Sequence, residues 1–159
     1  MRYKVQLHEV SSQPLAAAYG QVDAQNIVPQ LFVLLDEVWK FLHSNPQVNN
    51  RGLNVFLYYG DDNTNLLNTD HCLPIAAGVI VTDPFESSGK VVYSATPSGT
   101  VATVTHIGPY EKLAEAHSAV RKWCEENNRP IVGMNWEIYD HPAEDPGNLR
   151  TDVFYLLKD

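Results

Sequence analysis

Two stretches decide the fold of this chain: Gly52-Leu53-Asn54-Val55-Phe56-Leu57-Tyr58 and Gly133-Met134-Asn135-Trp136-Glu137-Ile138-Tyr139. Both alternate in the way that is typical of a β-strand, and both end on a tyrosine. They lie 81 residues apart, about half the chain length, so the sequence indicates two copies of one unit. The copies differ most sharply at one position, where a carboxylate, Glu137, replaces the phenyl ring of Phe56.

The order of predicted elements is the same in both halves: strand, strand, helix, strand, strand. Apolar residues recur at three- and four-residue steps from Val28 to Leu42 and from Leu113 to Cys124, which predicts one main helix in each half. Gly108-Pro109 opens the second helix. We therefore predict an α+β fold with mainly antiparallel pairing. The chain of residues 1–159 forms one domain, with repeat halves at about 1–83 and 90–159.

Composition excludes several classes of protein. The formal net charge is −8 and none of the 11 basic residues form a run, so direct binding to nucleic acid is not expected. The apolar stretches are too short to span a bilayer and there is no signal sequence, which favours a cytoplasmic protein without membrane contact. Cys72 and Cys124 are expected to be free thiols. No histidine stands at a metal-ligand spacing, so neither a metal nor a cofactor is expected.

Strand alternation assigns side chains of the second copy to faces. Met134, Trp136 and Ile138 share one face, and because they are large and apolar we expect them to cover the helix. This assignment places Glu137 and Tyr139 on the open face of the sheet.

The same argument directs Phe56 and Tyr58 outward in the first copy. If two sheets meet across a pseudo-twofold axis, the gap between them has aromatic walls and the carboxylate of Glu137 as its acid. Aromatic rings and a carboxylate favour a flat, apolar and often cationic ligand. The alternative is a solvated sheet face, which is the usual setting of outward Glu and Tyr side chains.

The motif His106-Ile107-Gly108-Pro109-Tyr110-Glu111-Lys112-Leu113, followed by Trp123 and by Trp136-Glu137-Ile138-Tyr139, resembles the GyrI-like small-molecule-binding family. This family includes the effector-binding domains of bacterial multidrug-responsive regulators. The resemblance implies a tandem pair of β-α-β-β units, each with an antiparallel sheet and a helix, and a ligand cavity between the halves. Glu137 matches the central glutamate of that cavity, and Tyr110 and Tyr139 match aromatic positions. Phe56 and Tyr58 are assigned from the internal repeat alone.

The chain resembles a stand-alone member, since it has no room for a DNA-binding module. Three functions stay open. The first is binding of hydrophobic, often cationic, drug-type or toxin-type molecules. The second is hydrolysis of cyclopropane-bearing genotoxic compounds, with Glu137 as general base and Tyr139 or Tyr110 stabilising an oxyanion. The third is an acidic protein-interaction module of the gyrase-inhibitor type, whose protein partner would be gyrase.

Overall fold

The computed structural model describes residues 3–23, 26–59, 72–140 and 145–158. These residues form eight strands and two α-helices. In chain order they are β1 (Gln6–Val10), β2 (Pro14–Asp23), α1 (Ile27–Ser44), β3 (Asn50–Tyr59), β4 (Cys72–Val81), β5 (Val91–Ala95), β6 (Gly99–Ile107), α2 (Leu113–Glu126), β7 (Ile131–Tyr139) and β8 (Arg150–Leu157). A short 3-10 turn at Tyr110–Lys112 precedes α2.

All eight strands belong to one sheet, in the order β1-β6-β8-β7-β3-β4-β2-β5, and neighbouring strands pair antiparallel. The prediction of an α+β fold with antiparallel pairing is confirmed. The prediction of two separate sheets with a gap between them is wrong, because β3 and β7 are hydrogen-bonded neighbours at the centre. The repeated stretch therefore forms the middle of a single continuous sheet.

The sheet must curl strongly, because of two short linkers. Only residues 11–13 join β1 to β2, although six strand spacings separate these strands in the sheet order. A flat sheet would place them about 29 Å apart at ~4.8 Å per spacing. The linker reaches at most about 15 Å. Residues 96–98 join β5 to β6 under the same constraint.

The two helices pack on one face of this sheet. The buried stripe of α1 consists of Leu31, Leu34, Leu35, Val38 and Leu42, and it packs against small and branched side chains of β2 and β4. The buried stripe of α2 packs against β6 and β8. Each helix thus covers the outer strands on its own side, and the central strands β3 and β7 lie beneath the space between the helices. Neither helix in the described part of the chain is long and apolar enough to cross a membrane.

The predicted faces of the repeated strand are reversed in the structure. Trp136 is 2% exposed and packs with Val55 and Leu57 in a third cluster on the face that carries no helix. The same cluster contains Leu15 from β2 and Val101 from β6, which the curl of the sheet brings together. Because the curled sheet buries this face against itself, large apolar residues do not have to point toward a helix.

The prediction that Glu137 and Tyr139 lie on an open face is therefore wrong. Both lie on the face that carries the helices. Tyr139 packs against the clusters of both α1 and α2. Of the two cysteines, Cys124 is a buried free thiol. The side chain of Cys72 lies outside the described residues.

Candidate functional site

A cleft of about 450 Å³ lies between the two helices, above the central strands. Its lining comes from the start of α1, from one side of α2, and from β3, β7 and β8. The lining residues are Ile27, Val28, Pro29, Tyr58, Leu113, Ala114, His117, Arg121, Asn135, Glu137 and Tyr155. The cleft is therefore mostly apolar, with a few convergent polar groups, which is the usual character of a small-molecule site.

The register of the central strands determines which side chains reach the floor of the cleft. Phe56 of β3 lies directly opposite Glu137 of β7, and Tyr58 lies opposite Asn135. Side chains two positions apart share a face of a strand, so these four residues and Tyr139 project on the helical side. The two positions that the sequence repeat aligns are thus cross-strand neighbours.

Glu137 is the acidic centre of the floor and is only 3% exposed. Its Oε1 accepts hydrogen bonds from the hydroxyls of Tyr58, at 2.9 Å, and Tyr139, at 2.7 Å. Its Oε2 lies 2.5 Å from Nε2 of His117 on α2. A buried carboxylate is stable only with such partners, because an unpaired charge in an apolar interior is very costly.

The hydrogen-bond chain continues beyond His117. The other ring nitrogen, Nδ1, lies 2.6 Å from the hydroxyl of Tyr155, and Arg121 donates to the same hydroxyl oxygen at 3.1 Å. Four polar side chains from α2, β7 and β8 thus form a continuous chain from the exposed Arg121 to the buried Glu137.

Burial keeps the tyrosines of this network protonated. Desolvation, followed by the charge of Glu137, raises the pKa of Tyr58 and of Tyr139 well above the ordinary value. Desolvation also raises the pKa of Tyr155 to about 12, against the opposing effect of the Arg121 charge. At neutral pH all three hydroxyls are therefore hydrogen-bond donors.

The structure brings the five predicted site residues together. Tyr58 and Glu137 line the cleft, and Tyr139 bonds to Glu137 from the adjoining side. Phe56 lies 5.2 Å from the ring of Tyr139, centroid to centroid, and the half-exposed ring of Tyr110 lies 5.3 Å from it on the helix α2 side. Contact between these residues and a ligand stays a prediction.

The sequence analysis did not assign four polar residues of the cleft: His117, Arg121, Asn135 and Tyr155. It set the histidines aside because none stands at a metal-ligand spacing, but His117 faces Glu137. One signal was present in the sequence, because His117 and Arg121 are four residues apart and so share a helix face. No local pattern could associate Tyr155 with them, since that pairing depends on how α2 lies across β8.

No metal site is evident in the described ranges. Within them, no three His, Cys, Asp or Glu side chains are grouped closely enough to hold a metal ion. Most polar groups of the cleft bond to one another, but the buried Oδ1 of Asn135 has no hydrogen-bond partner among the described residues. The lining can offer a ligand hydrogen bonds and the negative charge of Glu137.

The fold and this cleft define a class of protein that binds small molecules between two helices on a sheet. The chain belongs to the GyrI-like family: the profile of the GyrI-like small molecule binding domain matches residues 3–158. A comparison with curated proteins found no match.

Solved structures share the fold at low sequence identity. EcmrR, in a cryo-EM structure of an EcmrR-DNA complex, superposes with a TM-score of 0.80 at 19% identity, over 99% of this chain and 58% of that chain. The present chain thus spans little more than half of the EcmrR chain. SAV2435 bound to tetraphenylphosphonium gives a TM-score of 0.68 at 14% identity, over 99% and 94%. A hydrolase encoded by lin2189 from Listeria innocua gives 0.56 at 13% identity, over 98% and 92%.

Proposed function

We propose that this protein binds aromatic, apolar and often cationic small molecules, of the drug or toxin type, in the cleft between α1 and α2. The observation that carries this proposal is the buried carboxylate of Glu137 on the floor of a mostly apolar cleft. The similarity to SAV2435, which was solved with tetraphenylphosphonium, supports a ligand of this kind.

The physical basis is complementarity between the ligand and the floor. Tyr58 and Tyr139 offer ring surface beside the acid, and contacts between a cation and an aromatic ring are worth about 0.5 to 2 kcal/mol. An enclosed negative charge favours a cation, because the cation offsets part of the carboxylate's desolvation. Phe56 and Tyr110 act in this proposal as aromatic walls through their contacts with Tyr139.

Two further parts of the proposal concern the whole chain. We infer that residues 1–159 are one domain of two pseudo-symmetric units, since the 81-residue repeat agrees with the cross-strand pairing of Phe56 and Glu137. We also infer that the protein is cytoplasmic, and that it makes no direct contact with nucleic acid because its net charge is −8. The inference on nucleic acid needs a direct test, because EcmrR was solved in a complex with DNA.

Titration of Glu137→Gln tests the role of the acid. The ligand panel contains aromatic cations, including tetraphenylphosphonium and proflavine, and calorimetry measures their affinities. We expect the variant to bind at least about tenfold more weakly, because the amide keeps the shape of the side chain but loses its charge.

Glu126→Gln is the matched control, since Glu126 carries the same charge at an exposed position near the end of α2. Its affinities should equal those of the wild type. Equal binding by wild type and Glu137→Gln would remove the carboxylate from the proposed function, and no binding of any panel member by the wild type would refute the function itself.

A second candidate is hydrolysis of strained electrophiles such as cyclopropane-bearing compounds. It is favoured by the hydrogen-bonded chain from Tyr155 through His117 to Glu137, which has the order of a hydroxyl, an imidazole and a carboxylate. In this reaction water adds across the ring: its oxygen bonds to the strained carbon, and the electron pair of the broken carbon–carbon bond takes up a proton. The Glu137 and His117 pair removes the water proton and delivers it to that electron pair, while Tyr139 or Tyr110 donates a hydrogen bond to the developing negative charge.

Product analysis with a cyclopropane-bearing alkylating compound tests this candidate. Glu137→Ala should slow turnover by about 10² to 10⁴-fold if the pair supplies general-base catalysis. Absence of turnover by the wild type would leave binding as the function of the cleft.

A further inference from the structure

The acceptor positions of Glu137 are mostly occupied before any ligand arrives. A carboxylate offers about four acceptor positions. Oε1 receives the hydroxyls of Tyr58 and Tyr139, and Oε2 receives His117. One position therefore remains, on Oε2 beside the imidazole.

The direction of the hydrogen bonds shows why His117 holds its place. Arg121 can only donate, so the oxygen of Tyr155 accepts from it and the Tyr155 hydroxyl hydrogen is free to point to Nδ1 of His117. The imidazole hydrogen then lies on Nε2, where it is donated to Glu137. In this arrangement the Tyr155 hydroxyl hydrogen and the imidazole hydrogen each have an acceptor, so the imidazole is held at both nitrogens.

The charges that line the cleft do not explain a preference for one cationic ligand over another. Among the residues that line it, Glu137 carries a negative charge and Arg121 carries a positive one. The formal charges of the lining thus cancel, and charge alone does not distinguish one monocation from another. Selection then depends on which groups can reach the remaining acceptor position on Oε2.

We propose that His117 is a specificity-determining residue that makes the cleft prefer aromatic cations carrying N–H donors over fully alkylated cations. This inference rests on the proposed binding function. A slim N–H group can reach Oε2 beside the imidazole and form a charge-assisted hydrogen bond. A methylated nitrogen cannot donate, and the imidazole keeps it from approaching the same oxygen.

The test compares two flat aromatic monocations: proflavine, which has N–H donors, and its fully N-methylated derivative, which has none. Fluorescence titration measures both affinities for each protein. The wild type should bind proflavine about tenfold or more tightly than the methylated compound, as expected for one hydrogen bond to a charged group. In His117→Ala, where space opens at Oε2, the affinity for the methylated compound should rise and the ratio should fall to about threefold or less.

His117→Gln and His43→Phe are the controls. The glutamine keeps an N–H donor of similar reach and should restore the wild-type ratio, which loss of packing alone would not explain. His43 is exposed on α1, away from the lining of the cleft, so its substitution should leave the ratio unchanged.

A wild type that binds both compounds equally would overturn the inference, whether or not the variants fold. An unchanged ratio in folded His117→Ala would overturn it as well. If Glu137→Gln still weakens binding in either case, the proposed binding function stands and only the role of His117 is refuted.

Discussion

The chemistry of the cleft depends on a single position of the repeat. Phe56 and Glu137 lie opposite each other on the central strands, and they differ in that one is a hydrocarbon ring and the other an acid. A buried acid requires donors, and Tyr58, Tyr139 and His117 supply them. The single carboxylate of Glu137 on the floor of the cleft therefore binds polar side chains from β3, β7 and α2.

Tyrosine ionisation should make the protein sensitive to alkaline pH. Above pH ~10 an unfolded tyrosine loses its proton, whereas Tyr155 keeps its proton in the folded state until its pKa of about 12. The unfolded state then binds fewer protons, so the free energy of unfolding falls as pH rises through this range. In Tyr155→Phe the free energy of unfolding should fall less between pH 10 and 12 than in the wild type, by on the order of 2 kcal/mol.

Urea denaturation at a series of pH values measures this slope. Tyr93→Phe is the control, because Tyr93 is 42% exposed on the edge strand β5, and its slope should match that of the wild type. Identical slopes for wild type and Tyr155→Phe would contradict the assigned burial of the hydroxyl.

At the scale of elements, the pairing of β2 with β4 leaves no room for a side chain at one glycine. A Cβ on Gly78 would lie 2.7 Å from the carbonyl oxygen of Ala16 on the neighbouring strand. Ala16 is paired on both sides, with Val79 and with Tyr93, so its backbone cannot move aside without disturbing the ladder of hydrogen bonds. These strands also carry the surface on which α1 packs, so their spacing affects the position of one wall of the cleft.

Gly78→Ala should therefore destabilise the fold by roughly 1 to 3 kcal/mol. Gly20→Ala is a matched control on β2, since its Cβ would meet the flexible end of Leu34 at 3.3 Å. Both changes remove a similar amount of unfolded-state entropy, so the difference in urea midpoint reports the steric clash. Equal midpoints for the two variants would show that the strands can separate at Gly78.

For the whole molecule, the decisive feature is the curl of the sheet. The two linkers cross where the ends of the sheet approach each other, and two hydrogen bonds join them: Thr96 N to Gln13 O at 2.9 Å, and Gln13 N to Thr96 Oγ1 at 2.8 Å. Thr96 is 3% exposed. The pair continues the antiparallel ladder of the neighbouring strands β2 and β5 beyond Pro14 and Ala95, at the point where both linkers leave these strands for the other end of the sheet.

Thr96→Val should cost about 1 to 3 kcal/mol of global stability, since the partly buried amide of Gln13 loses its acceptor while the side-chain shape is kept. Thr82→Val removes an exposed hydroxyl and is expected to change stability by less than about 0.5 kcal/mol. Chemical denaturation of both variants gives the comparison. A Thr96→Val midpoint like that of the wild type would mean that the hydrogen bond from Gln13 N to Thr96 Oγ1 adds nothing to global stability.

Much of the secondary structure could be predicted from local patterns. The helices α1 and α2 contain the two predicted apolar stripes. Glu137 could be predicted as the acid of the site because it stands where the first copy of the repeat has the apolar Phe56. The roles of His117 and Tyr155 could not be predicted, because they depend on the placement of α2 over β7 and β8.

The sequence by itself determined the elements, the repeat and the antiparallel class, because side-chain period and turn residues act over a few neighbouring positions. Only the tertiary structure decided that one curled sheet forms and that Glu137 projects toward the helices. Alternation states which residues share a face, but it does not state what covers that face. In this protein Trp136 is buried by the curl of the sheet, and the face of Glu137 was left for the cleft between α1 and α2.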